Sequence, residues 1–549
     1  MRPQAISLAL LFAFAWLPVS GGPASADLIL VNGKIFTGND ARPYVQALAI
    51  RGERILAAGD SADIAVLAGT RTRQLDLGGR VAIPGINDAH DHLEVRPPDR
   101  VAVRTKSRNP DWEELRAALS ARAAATPAGT LLEAGIGDRI FNNLAVNRDS
   151  LDEVTADHPV LLATLTGHAE LFNSAGLERA GIHEDTPDPQ GGRFERDAAG
   201  RLTGVVREYA VLQADRNLAN ATTDADAAKQ LQETLATAVQ WGITTIQDMS
   251  NEFAPTRAVR LLEGLPTPIR IRVMRMPLTT AAGRDTREGR GMPLHPAPLI
   301  TVSGTKWLLD GVPLEFTLDP RGSHASWREL PSFDELARTL PLIFPQAEMK
   351  AMLRESLQNH DQLLLHVSGY PAAAAMLHLM QASGGARVWA TRRVRFEHGD
   401  GLFPDLIPLA KSLGIVVVQN PTHFAVLGED VQKVAQPVRS LIAAGIPVAL
   451  GSDGPLNPYL NIMLAVTHPH QHSEGITREQ AVIAYTRTSA YAEFTERDKG
   501  TLEPGKLADL AVLSQDIFTV PLPKLPETKS LLTLVGGRIV YDAHTLSAR

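Results

Sequence analysis

The sequence predicts an α/β protein that combines a TIM-type (β/α)8 barrel with a small β-sandwich built from both chain ends. Between residues 84 and 499, about eight strand-length apolar runs, such as PVLLATLTG, GITTIQDMS and RVRFEHGD, alternate with helical stretches. This alternation indicates parallel strands joined by right-handed crossovers. Shorter apolar runs broken by turn residues occupy 27–83 and 500–549. Because the two ends share this pattern, we expect them to pair into one sandwich.

Residues 1–26 are interpreted as a signal peptide. Arg2 precedes an apolar stretch at 5–19, and the small residues A-S-A occupy 24–26. The apolar stretch is shorter than the roughly 20 residues that a membrane-spanning helix needs, and A-x-A is typical of a cleavage site. A buried N-terminal helix is the alternative, but the stretch lacks a polar stripe. We expect a periplasmic or secreted protein that starts at Asp27 and has no membrane anchor after cleavage.

Composition restricts the classes of partner. The chain has no cysteine, which excludes disulfides and thiolate metal sites, and its formal net charge is −7 with Lys and Arg scattered along it. This pattern does not predict binding to nucleic acid or to an anionic membrane. We expect a small-molecule substrate. The oligomeric state stays open, with a homodimer among the alternatives.

Polar side chains follow the apolar runs where the predicted barrel strands end. His90 and His92 end the first run, and as strand residues two apart they face the same side. Later strand ends contribute Lys306, Asp310, His366, Glu397, His398, Asn420, His423 and Asp453. A lone histidine at a strand end is more often structural, but the carboxyl ends of all barrel strands meet at one rim. Imidazole and carboxylate ligands suit zinc, and also iron, manganese or nickel, so the sequence predicts a metal site there.

Longer stretches carry a family resemblance. The phrases PGINDAHDHL, TGHAELFNSAGLERAGI, GITTIQD, TKWLLDG, LLLHVSGYPAA, RVRFEHGD, AGIPVALGSDGPL and GTLEPGKLADLAVL follow one another in this order. Together they resemble the amidohydrolase superfamily, and within it the YtcJ-like amidohydrolase family 3, which includes N-substituted formamide deformylase. The resemblance covers essentially the whole chain after the signal peptide.

The resemblance implies a role for each matching metal ligand. His90 and His92 match ligands of the more buried metal, and Asp453 matches the ligand on the last strand. His366 and His398 match the histidines that bind a second metal, or substrate and metal together. The expected cofactor is therefore one or two divalent ions per chain, with zinc as the first candidate.

Lys306 matches a lysine that can be carboxylated and bridge two metals. A carboxylated lysine is an anion held by metal ions, which would account for a lysine in a buried strand.

Two departures from the family pattern lie at the predicted pocket rim. The segment HVSGY at 366–370 lacks the carboxylate that usually follows this histidine, and QNPTH at 419–423 is one residue longer than the usual Gln-Pro-Thr-His. Both leave the substrate open. We assign substrate binding to His168 from the TGHAE phrase and to Tyr370, Asn420 and His423.

The predicted reaction is metal-assisted hydrolysis of a carbon–nitrogen bond in a small non-peptide amide. Asp453 would take the proton of the attacking water and pass it to the leaving amine, and His398 or His168 would stabilise the oxyanion. Glu397 is expected to point away from its ligand neighbour and to be structural. The alternatives are a deaminase, a cyclic-amide or ester hydrolase, a dipeptidase, a non-hydrolytic isomerase or decarboxylase, and a binding protein.

Overall fold

The computed structural model describes residues 25–107, 109–141, 143–164, 166–312, 333–425 and 436–548. The predicted signal peptide lies, up to residue 24, outside the described residues. Within the described part of the chain, every helix is too short or too polar to cross a membrane.

Eight parallel strands form the barrel. In chain order, β1 to β8 are Ile86–Asp91, Ile243–Ser250, Arg270–Arg275, Ile300–Leu308, Leu363–Val367, Arg395–His398, Val416–Gln419 and Val448–Leu450. Each pairs in parallel with the next. The first and last strands meet where the Asp453 N–H donates to the His90 carbonyl (3.0 Å). Most strand residues are buried, which explains the near-continuous apolar runs.

Helices surround this barrel. The longest are Asp224–Gln240, Pro255–Glu263, Gln346–Asn359, Tyr370–Ala382 and Pro458–Thr467. Shorter helical segments are Phe333–Thr339, Gly385–Trp389, Ile407–Ser412, Pro421–Ala425, Val438–Ala444, His472–Glu474, Arg478–Ile483, Ala484–Thr488, Ser489–Ala492 and Leu522–Glu527. The helix before β2 begins at the cap Thr223, which accepts from the Asp226 N–H, and it buries Leu231 and Leu235 on one face. Between β3 and β4 the chain forms the hairpin Thr279–Thr280 and Gly283–Arg284 instead of a helix.

The two chain ends form a β-sandwich. One sheet has the order Ser547–Ala548, Ala68–Asp76, Ala26–Val31, Ala47–Arg51 and Arg54–Gly59, with the helix Ser61–Ala65 beside it. The other has the order Arg538–Asp542, Ser530–Val535, Leu510–Leu513, Val81–Pro84, Lys34–Phe36 and Tyr44–Val45. Both sheets contribute aliphatic side chains to one core. The predicted fold class is confirmed.

A third sheet lies in the connection between β1 and β2, residues 92–223, which we call the insertion. Its strand order is Gly192–Arg196, Leu202–Glu208, Ala169–Phe172, Val160–Thr164, Leu132–Ile136 and Val101–Ala102. Its helices are Trp112–Ala124, Asp138–Phe141, Arg148–Thr155, Ser174–Arg179 and Tyr209–Asn220.

One predicted barrel strand belongs to the insertion. The run PVLLATLTG contributes Val160–Thr164 to the third sheet, so its assignment to the barrel was wrong. Leu161 and Leu162 lie in separate apolar clusters on opposite faces of that sheet. A strand covered on both faces has the same apolar pattern in either sheet.

Candidate metal centre and active site

Three potential ligands meet at the carboxyl ends of β1, β6 and β8. Ligand atoms of His90, His398 and Asp453 all lie within 4.8 Å of one another. The Nε2 atoms of His90 and His398 lie 3.7 Å and 3.8 Å from Oδ2 of Asp453. Two imidazoles and a carboxylate are a typical ligand set for zinc and related divalent ions. The chemistry of these donors therefore fits a divalent metal.

Two further imidazoles approach the Asp453 carboxylate. Nε2 of His92 lies 3.5 Å from Oδ1, and Nε2 of His423 lies 3.6 Å from Oδ2 of the same residue. Burial alone would raise the pKa of Asp453, but His90, His423, His92 and His398 together hold it well below its ordinary value. Asp453 is therefore ionised at neutral pH.

Lys306 and His366 extend this cluster. Lys306 is buried on β4, and its Nζ lies 3.1 Å from Nε2 of His90. Burial lowers the pKa of Lys306. The ring centroid of His366 lies 4.7 Å from that of His398. The structure thus brings the predicted metal ligands together around Asp453, with His366 at one side.

Left-handed backbone at the strand ends shapes the site. φ is 65° at His398 and 42° at Asp453. A positive φ interrupts the alternation of side chains along a strand, and His398 and Glu397 both reach into the barrel. Oε2 of Glu397 accepts from Nδ1 of His90 (2.7 Å), and its other oxygen accepts from Nε of Arg395 (2.8 Å). The prediction that Glu397 points away from the site was wrong.

Glu397 is ionised despite complete burial. Burial would raise the pKa of this carboxyl, but the Arg395 guanidinium and the hydrogen bond from His90 lower it to about 2. A carboxylate on Nδ1 fixes the tautomer and leaves Nε2 of His90 as the ligand nitrogen.

Two more imidazoles are oriented in the same way. Nδ1 of His92 contacts Oδ1 of Asn251 (2.7 Å), and Nδ1 of His366 donates to Asp310 (2.9 Å). Asp310 lies just beyond β4 and stands beside a histidine whose own segment, HVSGY, lacks a carboxylate. Nδ1 of His398, by contrast, is buried and has no hydrogen-bond partner in the part of the chain that the structure describes.

The four predicted substrate-binding residues occupy different positions. His168 reaches the site from the insertion, with its ring centroid 4.7 Å from that of His366. His423 lies beside Asp453, as described above. Asn420 is buried, and neither atom of its amide group has a partner among the described residues.

Tyr370 lies at the outer rim and is not brought into contact with the cluster. Its hydroxyl donates to Oδ2 of Asp405 (2.9 Å), and its ring packs against Phe403. Among the described residues, these contacts of Tyr370 connect the start of its own helix to the loop that follows β6.

A family model described as the amidohydrolase family matches residues 73–541. The chain belongs to the amidohydrolase family. The resemblance inferred from the sequence is therefore confirmed.

Two curated relatives cover most of this amidohydrolase. Protein LONG AFTER FAR-RED 3 of Arabidopsis thaliana is 27% identical over 94% of this chain and 92% of its own length. N-substituted formamide deformylase of Arthrobacter pascens is 24% identical over 94% of this chain and 98% of its own length. An uncharacterized metal-dependent hydrolase from Pyrococcus horikoshii OT3 has the same fold, with a TM-score of 0.64 at 22% identity over 90% of this chain and 99% of that one.

Sequence reasoning missed two residues that orient histidines of this amidohydrolase, Asn251 and Glu208, and misjudged a third, Glu397. Asn251 follows β2 directly, so it lies at the carboxyl end of a barrel strand, where the ligands were also predicted. Glu397 was considered and given the wrong direction. Glu208 contacts His168 and lies in the insertion. The positions of the barrel strand ends therefore could not predict it.

Proposed function

We propose that this amidohydrolase is a metal-dependent hydrolase that cleaves the carbon–nitrogen bond of a small non-peptide amide with water. The observation that carries the proposal is the convergence of His90, His398 and Asp453 at the end of the barrel where (β/α)8 enzymes perform chemistry. Similarity to a formamide deformylase over nearly its whole length favours the amide bond over other targets.

One or two divalent ions, with zinc as the first candidate, would be held by the histidine–aspartate cluster. When bound, such an ion supplies Lewis acidity, which polarises the scissile carbonyl and lowers the pKa of water to about 7. The state of His90 fits a metal ligand, because burial is the largest cause that lowers the pKa of its imidazole to about 4. Its imidazole is therefore neutral, as a ligand must be, at physiological pH.

Lys306 and His366 support a second metal position. The lowered pKa of Lys306 favours the neutral amine that carboxylation requires, and Nζ already lies beside Nε2 of His90. A crystal structure with carbamate density on Nζ would support two metals bridged by this residue. An unmodified amine in crystals grown with bicarbonate would contradict the bridge.

Asp453 is the proposed acid–base group. It is ionised and lies among four imidazoles, so it can accept the proton of the attacking water and return it to the leaving amine. His168, His423 and Asn420 are the proposed substrate contacts. Tyr370 would contact only a substrate that extends to the outer rim.

The test is a panel of N-formyl, N-acyl and cyclic amides, assayed with protein of measured metal content. We expect an acid and an amine as products, loss of activity on exhaustive chelation, and recovery with zinc. Ammonia released from a ring amine would indicate a deaminase. A product without oxygen from labelled water would indicate an isomerase, and full activity of metal-free protein would contradict the mechanism.

We further propose a periplasmic or secreted location. N-terminal sequencing of the protein exported from its cell should give Asp27 as the first residue. An intact N-terminus on protein found in the cytoplasm would contradict this location.

A further inference from the structure

Three buried carboxyl groups lie where the insertion meets the barrel. Glu170 is on a strand of the insertion, Asp215 is on the helix Tyr209–Asn220, and Glu252 lies just beyond β2. Each of the three residues is at most 7% exposed. Phe172 shares the strand face of Glu170 and packs in one apolar cluster with residues of that helix, so Glu170 faces the helix too. Acidic side chains from three elements are therefore buried at one junction.

The guanidinium of Arg96 lies among these carboxyl groups. Its Nη1 is 3.0 Å from Oδ1 of Asp215 and 3.5 Å from Oε1 of Glu252. The backbone of Arg96 is bound to the barrel helix before β2, because its N–H donates to Oε1 of Gln230 (3.0 Å) and its carbonyl accepts from Nε2 of the same residue (2.8 Å). Arg96 therefore connects the insertion helix to the barrel through Asp215.

The other charged groups around this junction do not balance its negative charge. Two neighbouring arginines are already paired, Arg100 with Glu133 (2.8 Å) and Arg216 with Glu288 (2.6 Å). Glu94 lies 3.6 Å from Arg96 and adds a further negative charge, although its side chain is 59% exposed. Within the described ranges, the buried carboxyl groups thus outnumber the cations available to them.

Two carboxyl oxygens at the junction have no compensating contact. Oε2 of Glu170 and Oε2 of Glu252 are buried and lack a hydrogen-bond partner among the residues that the structure describes. Burying an ionised carboxylate without a partner is costly, whereas a protonated carboxyl group is neutral. Burial, and next the charge of Asp215, raise the pKa of Glu170 well above its ordinary value. A proton is therefore the ligand that the geometry at Glu170 favours.

We propose that a proton on Glu170 holds the insertion closed on the barrel, and that loss of this proton at alkaline pH opens the junction. With the proton in place, Arg96 has only Asp215 and Glu252 to neutralise among the buried groups. Without it, the Glu170 carboxylate repels Asp215, whose helix carries the contact to the barrel. The insertion also brings His168 to the rim, so opening separates this histidine from His366.

The direction of the pH effect follows from the bound proton. Because the pKa of Glu170 is raised in the closed form, that form binds more protons than the open form once pH exceeds the ordinary value of 4.5. Closure therefore weakens as pH rises through this window. The inference goes beyond the proposed hydrolase function and does not depend on it.

The experiment measures hydrogen exchange of the helix Tyr209–Asn220 in the wild type and in Glu170→Gln, at matched metal content and from about pH 5 to about pH 9. The neutral amide of the variant cannot ionise. Comparing both proteins at the same pH removes the intrinsic pH dependence of exchange. The matched control is Glu178→Gln, which changes an exposed carboxylate on another helix of the insertion.

The helix should exchange at similar rates in both proteins at the acid end of this range. At the alkaline end it should exchange at least about 10-fold faster in the wild type, since one unit of raised pKa corresponds to about a tenfold change in the opening equilibrium. The barrel helix Gln346–Asn359 should show no such difference, and Glu178→Gln should match the wild type. In the infrared spectrum at neutral pH, Glu170→Gln should lose a carbonyl band of a protonated carboxyl group.

Equal exchange of the wild type and Glu170→Gln at every pH would overturn the proposal, and so would identical infrared carboxyl bands. If Glu170→Gln does not fold, Asp215→Asn takes its place, because it removes the charge that repels Glu170; alkaline opening as large as in the wild type would then overturn the proposal. Slower exchange on addition of calcium or magnesium at fixed pH would show that a metal ion, instead of a proton, closes the junction. None of these measurements requires turnover, so the hydrolase function is tested separately.

Discussion

The β-sandwich and the barrel rim bury side chains of opposite character. The sandwich core is a set of aliphatic side chains that includes the fully buried Leu48, Leu510 and Leu534. The rim buries groups that prefer water, such as His90 and Lys306. Aliphatic burial stabilises a fold in proportion to the area removed from water, whereas each buried polar group costs free energy unless it is paired. The comparison indicates that the sandwich provides stability and that the rim is retained for chemistry.

The largest effect expected at the rim is that of Asp453→Asn. Turnover should fall by at least about 1,000-fold, or about 4 kcal/mol in the activation barrier, because the variant loses the proton acceptor. Folding should be kept, since asparagine tolerates the φ of 42° at this position. Steady-state kinetics and calorimetry measure the two quantities. Asp498→Asn, which alters an exposed ion pair with Arg54, is the control, and near-wild-type turnover of Asp453→Asn would remove this residue from the chemistry.

Glu397→Gln should weaken both metal binding and stability. Loss of the carboxylate on Nδ1 of His90 should lower metal affinity by about 10- to 100-fold. The buried Arg395 would lose its compensating charge, which should reduce the free energy of unfolding by about 3–5 kcal/mol. Competition with a chelator and urea denaturation measure the two effects. Unchanged metal affinity would limit the role of Glu397 to its ion pair with Arg395.

In the sandwich, Leu534→Ala should affect stability alone. The fully buried side chain leaves a cavity, and the expected loss is about 2–5 kcal/mol in the free energy of unfolding. The kcat of folded, metal-loaded protein should match the wild type. A reduced kcat at full metal occupancy would show that the sandwich is coupled to the rim.

The metal-free protein should become less stable as pH falls from about 6.5 to about 4. The pKa of His90 is about 4 in the folded state against 6.5 ordinarily, so in this window the unfolded chain binds more protons. His90 alone accounts for up to about 3 kcal/mol, since one pKa unit corresponds to about 1.4 kcal/mol. Denaturation of chelated wild type and His90→Gln across this range is the measurement. An equally steep loss in the variant would exclude His90 as its source.

The smallest effect is expected on the exposed surface. Glu113 and Arg116 form an ion pair with side chains 75% and 52% exposed. Glu113→Gln should leave both the free energy of unfolding and the activity close to those of the wild type, because solvent screens an exposed ion pair. A clear loss of stability in this variant would show that exposed ion pairs also contribute to the free energy of unfolding, beside the sandwich core and the rim.

The barrel was predictable from sequence because strands buried on both faces have near-continuous apolar runs. The same property caused the error at Val160–Thr164, since the insertion sheet is also covered on both faces. Periodicity reports burial, and it does not report which sheet a strand joins.

The rim was predictable where a ligand directly ends a strand, as His90 does. It was not predictable where the backbone departs from strand geometry. The positive φ of His398 brings Glu397 and His398 into the same interior, against the expected alternation. The contact between His168 and Glu208 depends on the pairing of two strands within the insertion, which no local sequence pattern predicts.

The pairing of the two chain ends also sets an order of events during synthesis. Val81–Pro84 lies between Lys34–Phe36 and Leu510–Leu513, a strand that is made more than 400 residues later. At a synthesis rate of about 5–20 residues per second, the edge of Val81–Pro84 stays unpaired for roughly 20 to 90 seconds before the strand Leu510–Leu513 is made. An unpaired, apolar strand edge is a site of aggregation during that interval. Chains truncated before residue 510 would keep this edge unpaired permanently. The sandwich can therefore be completed only after nearly the whole polypeptide has been made.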